Sequence, residues 1–205
     1  IDALTFALGS GIAGIAGVAA ALEAARLGCQ VVVVDAAPSL GGQAVGAPIG
    51  TIAGLFSAGE EPRQLTRLVA DELVEGLKRE GALYPRYSHK ARTIVLHYDD
   101  VTLGRWIEKA FVQRGIRALL GAVLVDATRE GRTLVGLRVA TRFGEVEVRA
   151  KGFVDASGDA ALAWMAGLAC REPSGARLVA GLARWAWCAR SRARELCWAR
   201  RAVFH

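Results

Sequence analysis

The 205-residue sequence contains few of the residues that build metal centres and disulfide frameworks. It has three histidines and four cysteines, and the cysteines form no CxxC pair and show no metal-ligand spacing to a histidine. The cysteines are Cys29, Cys170, Cys188 and Cys197. We therefore expect no metal site, and we interpret these residues as unpaired thiols that fit a reducing, cytoplasmic location.

Charged residues are absent from residues 3–22, a stretch long enough for a hydropathy scan to suggest a membrane helix. About half of this stretch is glycine and alanine, which drive membrane insertion poorly, and Glu23 and Arg26 continue the same helical pattern. We therefore expect no membrane span here.

The net charge of +6 is confined to the last part of the sequence. Residues 171–205 contain eight arginines and two glutamates, whereas acidic and basic residues balance over residues 1–170. A neutral body with a basic end gives no reason to expect a nucleic-acid partner for the body.

Residues 171–205 also contain no lysine and three of the five tryptophans, with no regular period. Three explanations remain open: a tail that contacts anionic surfaces, a helix that docks on the body, or a reading frame shifted after about Ser174. We favour the shifted frame, because GC-rich DNA read out of frame encodes many arginines, alanines, tryptophans and cysteines. We accordingly expect a domain over residues 1–170 and a frameshifted or disordered tail over residues 171–205.

Strand, glycine turn, helix and strand follow one another over residues 4–35. The run Leu4–Leu8 predicts a buried strand, an alanine-rich pattern predicts a helix over 12–27, and Val31–Val34 predicts a second strand. The turn consists of Gly9, Ser10, Gly11, Ile12, Ala13 and Gly14. Its glycines permit a tight bend and close approach of the backbone to a diphosphate, which the N-terminus of the helix also attracts. Asp35, 21 residues after Gly14, can accept a hydrogen bond from a ribose hydroxyl.

A second glycine pair follows Asp35. Gly41, Gly42 and Gln43 could bring backbone and an amide to a cofactor or could simply form a turn, and the two interpretations are evenly balanced. Beyond them, the pattern predicts helices over 60–80 and 101–114, an irregular segment over 82–92, and a short strand over 94–97.

The pattern becomes that of strands from residue 116. Segments 116–120, 122–125, 133–140 and 145–150 predict an antiparallel meander with one solvated face. Residues 152–159 predict a buried strand that ends in a turn of small residues, and a helix is expected over 160–168.

This order of elements resembles the FAD-dependent oxidoreductases of the glutathione-reductase-like flavoprotein fold, and among them the fumarate-reductase-like group, of which the chain would be a truncated member. The motifs that carry the resemblance are GSGIAG at 9–14, Asp35, Leu40-Gly41-Gly42 and VDASGDA at 154–160. The resemblance implies an α/β fold, namely a Rossmann-like FAD/NAD(P)-binding domain with a parallel central sheet and an antiparallel β-meander.

The resemblance also implies FAD as the cofactor and a role for each motif. Residues 9–14 would hold the diphosphate and Asp35 the adenosine ribose, and Ala36 would also bind the cofactor. Gly41, Gly42 and Gln43 would lie near the diphosphate and the flavin, and Val123 would offer its backbone to the adenine. The turn of Ser157, Gly158 and Asp159 would lie against the cofactor. The family usually has glutamate where Asp35 stands, so the ribose contact would be one methylene shorter.

The leading hypothesis is therefore an FAD-dependent oxidoreductase that uses flavin-mediated hydride transfer, with a small-molecule substrate, catalytic residues and an oligomeric state that the sequence does not identify. One alternative is a non-catalytic, truncated dinucleotide-binding domain. The other is an NAD-dependent dehydrogenase, which shares the first glycine turn but needs neither the Leu-Gly-Gly segment nor the late VDASGD turn.

Overall fold

The computed structural model describes residues 3–7, 14–47, 49–171 and 187–188. Its helices are α1 (Ile15–Arg26), α2 (Gln43–Gly46), α3 (Val69–Arg79), α4 (Asp100–Gln113) and α5 (Ala161–Met165). The first six strands are β1 (Ala3–Ala7), β2 (Val31–Asp35), β3 (Thr51–Ile52), β4 (Leu83–Ser88), β5 (Thr93–Tyr98) and β6 (Arg117–Leu120). The others are β7 (Val123–Glu130), β8 (Thr133–Thr141), β9 (Gly144–Gly152), β10 (Cys170–Arg171) and β11 (Trp187–Cys188).

The main sheet has the strand order β6-β2-β1-β9-β8-β7. Strands β6, β2, β1 and β9 pair in parallel, whereas β9, β8 and β7 form an antiparallel meander. Strand β9 belongs to both parts, because its first residues pair with β8 and its last residues pair with β1. The α/β fold with a parallel central sheet and a β-meander is therefore confirmed.

The four valines of β2 pack on both faces of the sheet. Val31 and Val33 lie in a buried cluster with α1, α3 and α4, whereas Val34, with the partly buried Val32, packs with the meander. Helices thus cover one face of β2 and the meander covers the other, so both faces are largely shielded from water. Burying each such valine contributes about 1.5–3 kcal/mol before the entropy cost of ordering it.

A smaller antiparallel sheet has the order β3-β5-β4, and its strands lie between β2 and α4 in the sequence. The prediction of an irregular segment over 82–92 is wrong, because residues 83–88 pair with β5 along their whole length. Pro85 and the polar residues of β4 conceal the strand in the sequence. A proline and exposed polar side chains are compatible with this position because β4 is an edge strand of the small sheet.

The helix predicted over 60–80 begins only at Val69. Residues 55–65 instead form a hairpin-like loop, in which Ser57 N donates to Arg63 O at 2.8 Å and Leu65 N donates to Leu55 O at 2.8 Å. Leu68 then has a φ of +61°, outside the helical range. Leu65 and Leu68 are consequently exposed rather than buried on the helix face.

The other predicted elements agree with the structure to within a few residues at each end. Helix α4 and strands β2 and β5 lie where the sequence pattern put them, and segments 122–125, 133–140 and 145–150 form the meander. The segment predicted over 116–120 is a strand but does not belong to the meander, because β6 pairs in parallel with β2. Helices α1 and α5 are shorter than predicted. The strand expected over 152–159 stops at Gly152, although Phe153 beyond it remains buried.

Candidate functional site

The carboxyl ends of β6, β2, β1 and β9 meet at one edge of the main sheet. The chain proceeds from β1 to β2 and later to β6 on one side of β1, whereas β9 lies on the other side. The strand order therefore reverses beside β1. In open parallel sheets, ligands bind outside the carboxyl ends of the strands at such a reversal.

Most of the residues that the sequence assigned to the first glycine turn lie outside the part of the chain that the structure describes. Gly9, Ser10, Gly11, Ile12 and Ala13 lie outside the residues that the structure describes. Gly14, the last of the motif, is the residue that precedes α1, and it forms a parallel backbone bridge with Gly41. The fold thus brings the end of the first glycine motif to the second glycine pair.

The start of α1 has the features of an anion-binding helix end. Gly14 provides no side-chain cap, and the first turn contains no acidic residue. Val18 N is the amide that bonds back to Gly14 O, at 3.1 Å, so the N–H groups of the preceding turn are not used within the helix. Backbone N–H groups that make no bond within the helix, at its positive end, suit a diphosphate, so the start of α1 fits the diphosphate of FAD.

The second glycine pair has a backbone that favours glycine. Gly41 has a φ of +94° and Gly42 a φ of +55°. A Cβ atom on Gly41 would collide with the side chain of Val45 and would lie 3.0 Å from Ile107 Cδ1. Gln43, which follows, is the first residue of α2. The Leu-Gly-Gly segment is therefore a closely packed turn rather than a solvated loop.

Asp35 ends β2 at the same edge, and its side chain is fully buried. Its Oδ1 atom accepts a hydrogen bond from Ala37 N at 2.8 Å, and its backbone oxygen accepts one from Ala122 N at 2.9 Å. Ala36 lies in the turn between Asp35 and Ala37. Val123, which is 45% exposed, follows Ala122 directly and is the first residue of β7. The structure thus brings Asp35, Ala36 and Val123 together, with the Asp35 carboxylate holding the turn that follows it.

Ser157, Gly158 and Asp159 form a turn beyond the end of β9, near the start of α5. The Asp155 carboxylate organises this turn: Oδ1 accepts from Ser157 N at 3.0 Å and from Ser157 Oγ at 2.6 Å, and Oδ2 accepts from Ala163 N at 2.9 Å. Gly158 has a φ of +84°, and the turn continues into α5 through Ala160. Because β9 runs parallel to β1, the turn lies beyond the carboxyl end of the sheet.

Three residues that support this edge had no predicted role. Asp155 holds the late turn, and an aspartate two residues before a serine at a helix start is the signal that could have revealed it. Tyr98 donates from its hydroxyl to Ala44 O in α2 at 2.8 Å. Ile107 of α4 packs on Gly41, a long-range contact that leaves no local signal in the sequence.

Two groups near the start of α4 have shifted pKa values. Burial, with a smaller effect of the Asp100 charge, raises the pKa of Tyr98 above its usual value, so its hydroxyl remains a donor at neutral pH. The hydrogen bond from the Thr102 hydroxyl, followed by that from the Thr102 backbone, lowers the pKa of Asp99. Asp99 caps α4 through Thr102 N at 2.7 Å.

Within the described residues, no three histidine, cysteine, aspartate or glutamate side chains lie close enough together to hold a metal ion. In the part of the chain that the structure describes, no helix has both the length and the apolar composition that crossing a membrane requires.

Several solved proteins share this fold. The chain is similar to the glycerol-3-phosphate dehydrogenase of Bacillus halodurans, solved in complex with FAD, with a TM-score of 0.52 and 18% identity over 80% of this chain and 36% of that one. It is also similar to OxyS anhydrotetracycline hydroxylase from Streptomyces rimosus, with a TM-score of 0.56 and 13% identity over 84% and 35% of the two chains. A third is the p-nitrophenol 4-monooxygenase PnpA from Pseudomonas putida, with a TM-score of 0.53 and 11% identity over 84% and 46%.

The chain spans less than half the length of each of these three proteins. Comparison with individual curated proteins finds no match. A model of the family described as FAD dependent oxidoreductase matches residues 11–181, which include most of the glycine turn, the second glycine pair, the meander and the late turn. The chain therefore belongs to the FAD dependent oxidoreductase family, whose cofactor is FAD.

Proposed function

We propose that this chain binds FAD across the carboxyl edge of the main sheet and forms the FAD-binding part of an oxidoreductase. The observation that carries the proposal is the backbone bridge between Gly14 and Gly41 at the reversal of strand order. This bridge joins an uncapped helix N-terminus to a second glycine turn, so donors from two segments can face one diphosphate.

The proposed roles follow the positions of the motifs along this edge. Residues 9–14 and the start of α1 bind the diphosphate, Asp35 and Ala36 bind the ribose, and the backbone of Val123 faces the adenine. Gly41, Gly42 and Gln43 lie on the side of the flavin, and the turn of Ser157, Gly158 and Asp159 lies against the cofactor. Support for this arrangement comes from the shared location at the ends of adjacent parallel strands.

The proposed chemistry is oxidation–reduction of a small molecule. FAD, when bound, would supply hydride transfer, and this chain would hold the cofactor in position. In this chain, the backbone amides hold the negative charges and the buried Asp35 carboxylate orders the turn beside the ribose position.

A second candidate is a nucleotide-binding domain without catalytic activity of its own. It is favoured by the length of the solved proteins compared above, because the chain spans only 35–46% of the length of each. The division at about residue 170, the shifted reading frame after about Ser174 and the cytoplasmic location remain predictions under either candidate.

A binding titration tests the proposal. The full chain, freed of bound nucleotide, is titrated with FAD while flavin fluorescence and visible absorbance are recorded, and a parallel titration with NADH serves as the comparison. We expect saturable binding of one FAD per chain and a perturbed flavin spectrum. Binding of NADH alone, or of neither cofactor by a folded chain, would refute the proposal. Reoxidation of the reduced complex by added electron acceptors then separates an active oxidoreductase from a binding domain.

A further inference from the structure

The short helix α2 directly follows the second glycine pair, and it has no buried residues of its own. Four residues are too few to form a stable helix in isolation, so contacts from outside the helix must hold it in place. Its position in turn determines where Gly41 and Gly42 lie, because the chain between them and α2 has no intervening loop.

One such contact comes from the small sheet. The Tyr98 hydroxyl, at the end of β5, donates to the backbone oxygen of Ala44 at 2.8 Å. Tyr98 is 7% exposed, so this hydrogen bond forms away from bulk water. Tyr98 also lies directly before α4, because the next residue, Asp99, caps that helix.

A second set of contacts comes from α4. The side chain of Val45 lies 3.2 Å from the position that a Cβ atom on Gly104 would take, and Ile107 Cδ1 lies 3.0 Å from the corresponding position on Gly41. The absence of a side chain at Gly104 therefore lets α2 approach α4 closely. Helix α2 is held from one side by packing and from another by the Tyr98 hydrogen bond.

We infer that Tyr98 is a positioning residue for FAD, which acts by holding α2 and thereby the Gly41-Gly42-Gln43 turn against the start of α1. Tyr98 does not itself touch the proposed cofactor position; it acts through Ala44. This inference depends on the proposed function, because the turn matters for a cofactor only if FAD binds at this edge. The small sheet would then set the flavin environment as well as serve as part of the fold.

The neighbouring tyrosines provide matched controls. Tyr87 donates to Gly59 O at 3.0 Å and Tyr84 donates to Gly81 O at 2.7 Å, so both also bond a backbone oxygen, but at loops that do not include the glycine pair. The substitutions Tyr98→Phe, Tyr87→Phe and Tyr84→Phe each remove one hydroxyl and leave the ring in place.

The experiment compares the full chain and these three variants by FAD titration, by the visible spectrum of the bound flavin and by thermal unfolding without FAD. We expect Tyr98→Phe to weaken FAD binding about tenfold and to shift the flavin absorbance, as the loss of one buried hydrogen bond allows. We expect Tyr87→Phe to lower the unfolding temperature comparably while leaving the FAD dissociation constant and the flavin spectrum unchanged.

The outcomes distinguish the inference from the proposed function. If the unaltered chain fails to bind FAD, the proposed function is wrong. If the unaltered chain binds FAD but Tyr98→Phe binds it as tightly as Tyr87→Phe, with an unchanged spectrum, only the positioning role is wrong. Should Tyr98→Phe fail to fold in buffer, the titration is repeated for all variants in sucrose, which stabilises compact states. FAD binding by Tyr98→Phe as tight as that by Tyr87→Phe under those conditions would refute the inference.

Discussion

Replacement of Gly41 by alanine perturbs the proposed site without introducing charge or large volume. Gly41 has a φ of +94°, a region that costs an L-residue about 1–2 kcal/mol. The new Cβ would collide with Val45, which as a β-branched residue has few alternative rotamers, and would crowd Ile107. Forcing an extra methyl group into a packed site costs about 1–3 kcal/mol more. The expected loss of unfolding free energy is therefore about 2–5 kcal/mol.

Gly28→Ala is the matched control for this substitution. Gly28 has a φ of +83°, and nothing lies within 4 Å of the position that its Cβ would take. This variant should therefore show only the backbone cost, about 1–2 kcal/mol. The difference between the two variants, about 1–3 kcal/mol, measures the packing of Gly41 against α2 and α4.

The assay combines urea unfolding with FAD titration on the full chain and both variants. We expect the larger loss of stability for Gly41→Ala, and we expect the FAD dissociation constant to rise at least tenfold for this variant alone. A stability of about 5–15 kcal/mol is usual for a domain, so a folded fraction should remain for the titration. Equal stability losses in the two variants, or unchanged FAD affinity in Gly41→Ala, would refute the reasoning.

Further substitutions test other parts of the structure. Gly76→Ala in α3 should destabilise the fold by about 1–2 kcal/mol despite the better helix propensity of alanine, because its Cβ would collide with Trp106. In thermal unfolding, this loss of stability should disappear when Trp106 is first replaced by leucine. Asp99 has a lowered pKa, so its contribution to stability is present above the pKa of the unfolded chain and is lost as the pH falls through the pKa of the folded chain. When unfolding is measured as a function of pH below neutrality, Asp99→Asn should remove this dependence of stability on pH while keeping a cap on α4, and an unaltered dependence would contradict the role of Asp99. Asp155→Ala should lower the free energy of unfolding by about 2–3 kcal/mol, since three donors lose a carboxylate partner. Limited proteolysis should then cut near the late turn, and an uncut turn would show that the carboxylate does not hold it.

Local patterns predicted much of the fold because they reflect local causes. Strand β2 is apolar from Val31 to Val34 because its two faces pack into two buried clusters, and the alternation in the meander is typical of strands with one solvated face. Glycines at turns and an aspartate before α4 mark the ends of elements in the sequence itself.

Non-local pairing explains what the sequence did not predict. The residues before α3 have a helical pattern of leucines, yet backbone hydrogen bonds to residues 55–57 hold them in a loop. Strand β4 is polar and contains Pro85, and only pairing with β5 makes it a strand. The contact of Tyr98 with Ala44 and that of Ile107 with Gly41 likewise join segments more than 50 residues apart, so no local pattern could reveal them.

The central claim is that two glycine segments meet at the start of α1 to bind FAD. Its most direct test is equilibrium dialysis of the full chain against FAD, in which visible flavin absorbance gives the amount of FAD bound per chain. The unaltered protein and Gly41→Ala are compared in the same way. The account predicts about one FAD per unaltered chain and a clear loss in the variant. A folded, unaltered chain that retains no flavin would contradict it.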